Sequence, residues 1–202
     1  MAYMELIGTV SPLKPLLVLA VKEEAQFLET DLPVLLTGMG KVNAATALTT
    51  ILVQGPRPAS VINLGTAGAL RPGWAGTHAI GTVIQHDLDS QVLATLTGEI
   101  YGPPMPLPDV EGPVLATGDA FISDEQAREA LATTATLVDM EGYALATAAA
   151  QAGVTLRIIK HVSDDAGPGA ARSWRESVAA CARELADWVT ANAAGGFATA
   201  AS

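Results

Sequence analysis

The sequence is poor in the residues that announce many kinds of chemistry. It holds one cysteine, Cys181, so no internal disulfide can form. That cysteine sits in "SVAACARELADWV", a helix-like stretch with no histidine nearby, which suits a buried structural thiol better than a nucleophile. Histidine is scarce, with three in 202 residues. His86-Asp87-Leu88-Asp89 carries ligand-type side chains, but no second histidine follows at helical spacing, so neither a metal nor a cofactor is implied. Basic residues number 11 against 21 acidic ones, for a formal charge of −10. Such a surface repels phosphate backbones and anionic headgroups, which argues against nucleic acid and membranes as partners. No apolar run approaches the roughly 18 residues of a membrane-crossing helix. The opening "MAYMELIGTVSPLKP" lacks the basic region and long apolar core of a secretory signal. A cytoplasmic location is the expectation.

What is abundant is small and apolar. Half the residues are hydrophobic while only 4% are aromatic, a composition for helices packed closely on a sheet. Strand-like runs alternate with helical ones: "LLVLAV" (16–21), "KEEAQFLET" (22–30), "PVLLTG" (33–38), "KVNAATALTTILVQ" (41–54), then "ASVINLGT" (59–66). The middle reads differently, with "HAIGTVIQHDLD" (78–89) and "QVLATLTG" (91–98) both strand-like and a Pro-rich loop at 101–113 too polar for a core. The rhythm returns with strands at 114–118, 136–140 and 155–163, helices at 123–133 and 141–153, and a long amphipathic helix over 171–194. The expectation is an α/β fold: one domain over 1–202, a three-layer α/β/α sandwich around a mixed, largely parallel twisted sheet. Flexible ends are expected at 1–14 and 195–202.

Open α/β sheets bind ligands at the carboxyl ends of their strands. Here those ends collect glycines and acids: "LAVKEE", "LTGMGKVN", "NLGTAGAL", "ATGDAFIS", "VDMEG" and "KHVSDDAG". Gly38-Met39-Gly40-Lys41 lacks the third glycine of a dinucleotide fingerprint, and the upstream glycine and following Ser/Thr of a P-loop. Each feature has a structural alternative. Glu23, Glu24 and Glu141 suit the first turn of a helix, and Ser163 or Asp164 suit a cap. Phe121 reads as a core aromatic, and the glycines as turn residues.

Taken in order, "GMGKVNAA", "INLGTAGAL", "TGDAFIS", "VDMEGYA" and "VSDDA" resemble the nucleoside phosphorylase/nucleosidase superfamily over roughly residues 16–190, most of all its 5'-methylthioadenosine/S-adenosylhomocysteine nucleosidases. The resemblance implies hydrolysis of the N-glycosidic bond of an adenine nucleoside, releasing adenine and a 5-substituted ribose. It implies Glu24 as the carboxylate that activates water and Asp164, oriented by Ser163, as the acid at purine N7. It implies Glu141 as acceptor for the ribose hydroxyls with Met140 under the sugar, Phe121 and Ile122 against the purine, and Thr66, Ala67 and Gly68 at the turn beside the sugar. A homodimer is implied too, with the loop "IYGPPMPLP" serving the partner's 5' pocket. Asp139 stands where Glu is usual, and Lys160-His161 also depart from the family pattern. A phosphorylase would need cations at the anomeric carbon. "VINLGT" offers Asn63 instead, and Lys22 is the only nearby cation, so water is the expected nucleophile. The alternatives are a phosphorylase using phosphate and a non-catalytic nucleoside-binding protein.

Overall fold

Alternation inside single strands sets the architecture. In the computed structural model, which describes residues 4–108 and 110–193, β2 (Leu16–Leu19) is buried on both faces. Leu16 and Val18 join a core with α2 (Lys41–Gln54) and α5 (Gly142–Ala152), through Leu48, Leu52 and Leu145. Leu17 and Leu19 face the other way, toward Leu185 and Val189 of α6 (Ala170–Ala193). α1 (Lys22–Ala25) packs on α6 on this second side. Each fully buried Leu contributes about 1.5–3 kcal/mol of transfer free energy, so the two cores hold the sheet from both faces.

The sheet is mixed and mostly parallel. β1 (Glu5–Ile7) runs antiparallel to β3 (Val34–Leu36), which is parallel to β2, and β2 is parallel to the long β4 (Val61–Ala69). The end of β4 meets β9 (Leu137–Asp139) antiparallel. β9 continues in parallel to β8 (Val114–Thr117) and β6 (Thr82–Gln85), with β7 (Met105–Pro106) antiparallel at the edge. β10 (Leu156–Asp164) lies parallel to β4, setting Lys160 opposite Gly65 and Asp164 opposite Gly68, and β5 (Thr77–Ala79) pairs with it antiparallel. Strand ends from β4, β8, β9 and β10 thereby converge. α4 (Glu125–Ala132) is capped by Asp124, whose side chain accepts from Ala127 N.

Three expectations change. "QVLATLTG" is not a strand: α3 (Ser90–Thr97) forms there, with the Asp89 side chain accepting from Val92 N and Gly98 closing it in a left-handed conformation. No α3 residue is buried, so its caps outweigh an apolar alternation with nothing to pack against. Residues 5–7, within the expected flexible end, pair as β1. The Pro-rich loop contributes β7 and a buried Leu107 to the core. The expectation for 195–202 lies outside the described residues. Cys181 is a buried free thiol on α6. Among the described residues no helix is long and apolar enough to cross a membrane.

Candidate active site

A cavity of about 280 Å³ opens where the strand ends meet. Every residue to which the resemblance gives a role at the nucleoside lines it: Glu24, Asp164, Glu141, Met140, Phe121, Ile122, Thr66, Ala67, Gly68 and Ser163. Phe121 is exposed at the cavity rather than a core aromatic.

Glu24 enters from α1 and is buried. Its Oε1 accepts two hydrogen bonds from Thr66, one from the backbone N–H and one from the hydroxyl, both at 2.8 Å. Its Oε2 is buried and has no partner among the described residues. One oxygen is therefore fixed and the other is free to accept.

In Asp139-Met140-Glu141 the two acids divide their tasks. Asp139 serves the fold: its Oδ2 accepts from Gly142 N at 2.8 Å, and its Oδ1 accepts from the Thr117 hydroxyl at 2.6 Å. Thr117 Oγ1 in turn accepts from Tyr143 N, so the first turn of α5 is tied down by these two side chains. Glu141 occupies the cap position of α5 but makes no side-chain cap. Its Oε1 instead accepts from Gly40 N at 2.8 Å. Gly40 has φ +94°, a left-handed backbone that admits glycine, and a Cβ there would stand 3.1 Å from Asp119 Oδ1. The second glycine of "GMGK" thus holds a carboxylate with its backbone. Burial, followed by the Asp139 charge, pushes the Glu141 carboxyl up to about 8.

Asp164 ends β10. Ser163 Oγ donates to its Oδ2 at 2.8 Å, and Ala166 N donates to its Oδ1 at 2.9 Å. Ala166 takes a positive φ of 50° in this turn, so the loop accepts strain to bring its N–H to the carboxylate. Burial raises the Asp164 pKa against those two bonds, which favours a carboxyl that carries a proton. Neither Ser163 nor Asp164 caps α6, which begins only at Ala170.

Lys160, an unanticipated residue, stands behind the site beside Asp139. It is fully buried, and its Nζ lies 2.9 Å from Asp139 Oδ2. Burial alone would lower its pKa, but the charges of Asp139, Glu141 and Glu24 together raise it. Gly65, opposite it in register, leaves room: a Cβ there would lie 3.2 Å from Lys160 Nζ and 3.3 Å from Glu24 Oε1. Lys22, expected to be the only nearby cation, is exposed and pairs with Glu5 at 2.8 Å. The available signal was a lysine inside an apolar strand, since a buried charge demands partners. Trp174 and Arg175 of α6 also line the cavity and were not anticipated.

The remaining motifs serve the frame. Asp87 takes Lys41 Nζ and Asp119 N, and Asp119 takes Lys41 N, which ties the start of α2 to two neighbouring loops. His161 Nδ1 is 2.8 Å from the Thr77 hydroxyl.

The phosphorylase superfamily model matches residues 28–115 and 105–193, most of the chain. A 5'-methylthioadenosine/S-adenosylhomocysteine nucleosidase of Marinomonas sp. (strain MWYL1) is 31% identical over 172 residues, covering 72% of this chain and 73% of that protein. The chain belongs to the phosphorylase superfamily. Within it, the chain is a nucleosidase, an N-glycosyl hydrolase. Two solved structures share the superfamily fold at 18% identity. The Helicobacter pylori futalosine hydrolase mutant has a TM-score of 0.79, over 90% of this chain and 99% of that one. An aspartate-to-asparagine mutant of the Helicobacter pylori methylthioadenosine nucleosidase, with 5'-methylthioadenosine in its active site, also gives 0.79, over 90% and 98%.

Proposed function

We propose that this superfamily member hydrolyses an adenine nucleoside with a 5'-substituent, of the 5'-methylthioadenosine or S-adenosylhomocysteine type. The observation that carries the reading is Glu24: one oxygen held twice by Thr66, the other bare, in one cavity with Asp164 and Glu141. Water held at Glu24 Oε2 attacks the anomeric carbon and gives Glu24 its proton. The bond from that carbon to the purine breaks, its electron pair stays on the base, and the Asp164 proton passes to N7. Glu141 accepts the ribose hydroxyls as the ring becomes oxocarbenium-like. A carboxyl that donates at N7 and accepts from an exocyclic amine suits adenine. Water is favoured over phosphate because Lys160 is committed to Asp139 among carboxylates, and Arg175, which lines the cavity, donates from Nε to Ala171 O of its own helix.

A second copy of the chain fits this proposal. Met39, Val42, Val92, Leu96, Ile100 and Tyr101 are large apolar side chains left exposed near the segments that Lys41, Asp87 and Asp119 join. The test is a panel of 5'-methylthioadenosine, S-adenosylhomocysteine and futalosine, with and without phosphate, and solution mass read by light scattering. Adenine and free 5-substituted ribose from the two adenine nucleosides, released by a dimer, are expected. Ribose 1-phosphate as product would give the phosphorylase reading, and binding without base release would give a sensor.

Glu141 predicts a pH dependence. Free, it is protonated below about 8, whereas hydroxyl donors favour its ionised form. Binding a ribose diol then expels a proton, and affinity should rise as pH approaches about 8 from below. A non-hydrolysable adenine nucleoside analogue should bind at least about tenfold tighter at about pH 8 than at about pH 6, relative to its 2',3'-dideoxy counterpart. Equal pH trends for the two would remove Glu141 from the diol.

A further inference from the structure

The Thr66 hydroxyl that serves Glu24 is itself engaged from another element. Trp174 Nε1 lies 2.9 Å from Thr66 Oγ1, and Thr66 Oγ1 lies 2.8 Å from Glu24 Oε1. An indole N–H can only donate, and a threonine hydroxyl has one proton. Trp174 therefore takes a lone pair of Oγ1, and the Thr66 proton has Glu24 as its acceptor. The order is fixed: Trp174 N–H to Thr66, Thr66 O–H to Glu24 Oε1. With Thr66 N donating to the same oxygen, the carboxylate is held from one side only, and Oε2 stays unpartnered.

We propose that Trp174 is a positioning residue for the base: its indole N–H aligns the Thr66 hydroxyl and so reserves Glu24 Oε2 for the attacking water. The proposal rests on the reading of Glu24 as the water-activating carboxylate. Its geometry depends on α6, whose docking is fixed elsewhere. Ser177, one turn beyond Trp174, donates from Oγ to Ser163 O at 3.1 Å, beside Asp164, while Leu185 and Val189 anchor the helix in the core. One helix thus holds a side chain against the strand bearing the base's partner and another against the strand bearing the acid. Chained hydrogen bonds also polarise one another, so a donor on Thr66 strengthens the bond from Thr66 to Glu24.

The test is a double-mutant cycle on adenine release from 5'-methylthioadenosine, with Trp174→Phe, Thr66→Val and the pair. Trp174→Phe keeps a ring against the cavity and removes the N–H. It should lower kcat about fivefold, the scale of one hydrogen bond, with KM within about twofold. In the Thr66→Val background the same change should do nothing further, because the relay is already cut. Trp174→His, which can restore an N–H donor on a smaller ring, should regain kcat without regaining the melting temperature. Effects that multiply across the cycle, a loss confined to KM, or a kcat that only tracks melting temperature would overturn the relay. Wild-type protein that releases adenine while the cycle is multiplicative separates failure of the relay from failure of the Glu24 reading. Wild-type protein that releases no base removes both.

Discussion

Asp164→Asn should lower kcat for adenine release by about a thousandfold, within the range a general acid contributes, and leave the melting temperature within about 3 °C. Both halves follow from its bonds. The asparagine carbonyl can still accept from Ala166 N, and the side-chain amide can still meet the Ser163 hydroxyl, so the turn at the end of β10 keeps its ties. What disappears is a transferable proton. Burial raises the Asp164 pKa, the direction that favours a proton on the carboxyl. An amide can hydrogen-bond to a purine nitrogen but cannot protonate it. KM should therefore change little while kcat collapses. Turnover within about tenfold of wild type would take the acid role away from Asp164.

The frame and most of the candidate site were legible because they depend on local pattern. Leu16–Leu19 is buried on both faces, which sequence shows as an uninterrupted apolar run. Glu24, Glu141 and Asp164 follow such runs, and strand ends are where an α/β sheet presents reactive groups. Legibility ended where a partner came from far along the chain. Nothing near Lys160 in sequence says that Asp139 will neutralise it, or that Gly65 will make space for it. Nothing near Trp174 points to Thr66. β1 was missed because three exposed residues on an edge carry no periodic signal. α3 was misread because its pattern was judged by apolar residues that bury nothing, while the Asp89 cap and Gly98 decided it.

Lys160 carries the largest expected effect on stability. Lys160→Met should cost about 3–5 kcal/mol, the usual result of removing one partner from a buried ion pair. Asp139 would keep its bonds from Thr117 and Gly142 but lose its counter-charge in a buried position. The damage should reach substrate too. Lys160 is the charge that opposes the upward push on Glu141, so its loss should raise that carboxyl beyond about 8 and weaken ribose binding near neutral pH. Adding Asp139→Asn should recover much of the stability, since the stranded charge is then gone and the amide can still accept from Thr117 or Gly142. It should also relieve Glu141, because Asp139 is the leading charge raising its pKa. Urea melts of the single and double variants, with analogue affinity across pH, separate these effects. A single variant as stable as wild type would mean the pair contributes nothing to the fold. Stability restored by the second substitution without any recovery of affinity would mean the Lys160 charge acts on the sugar site by itself.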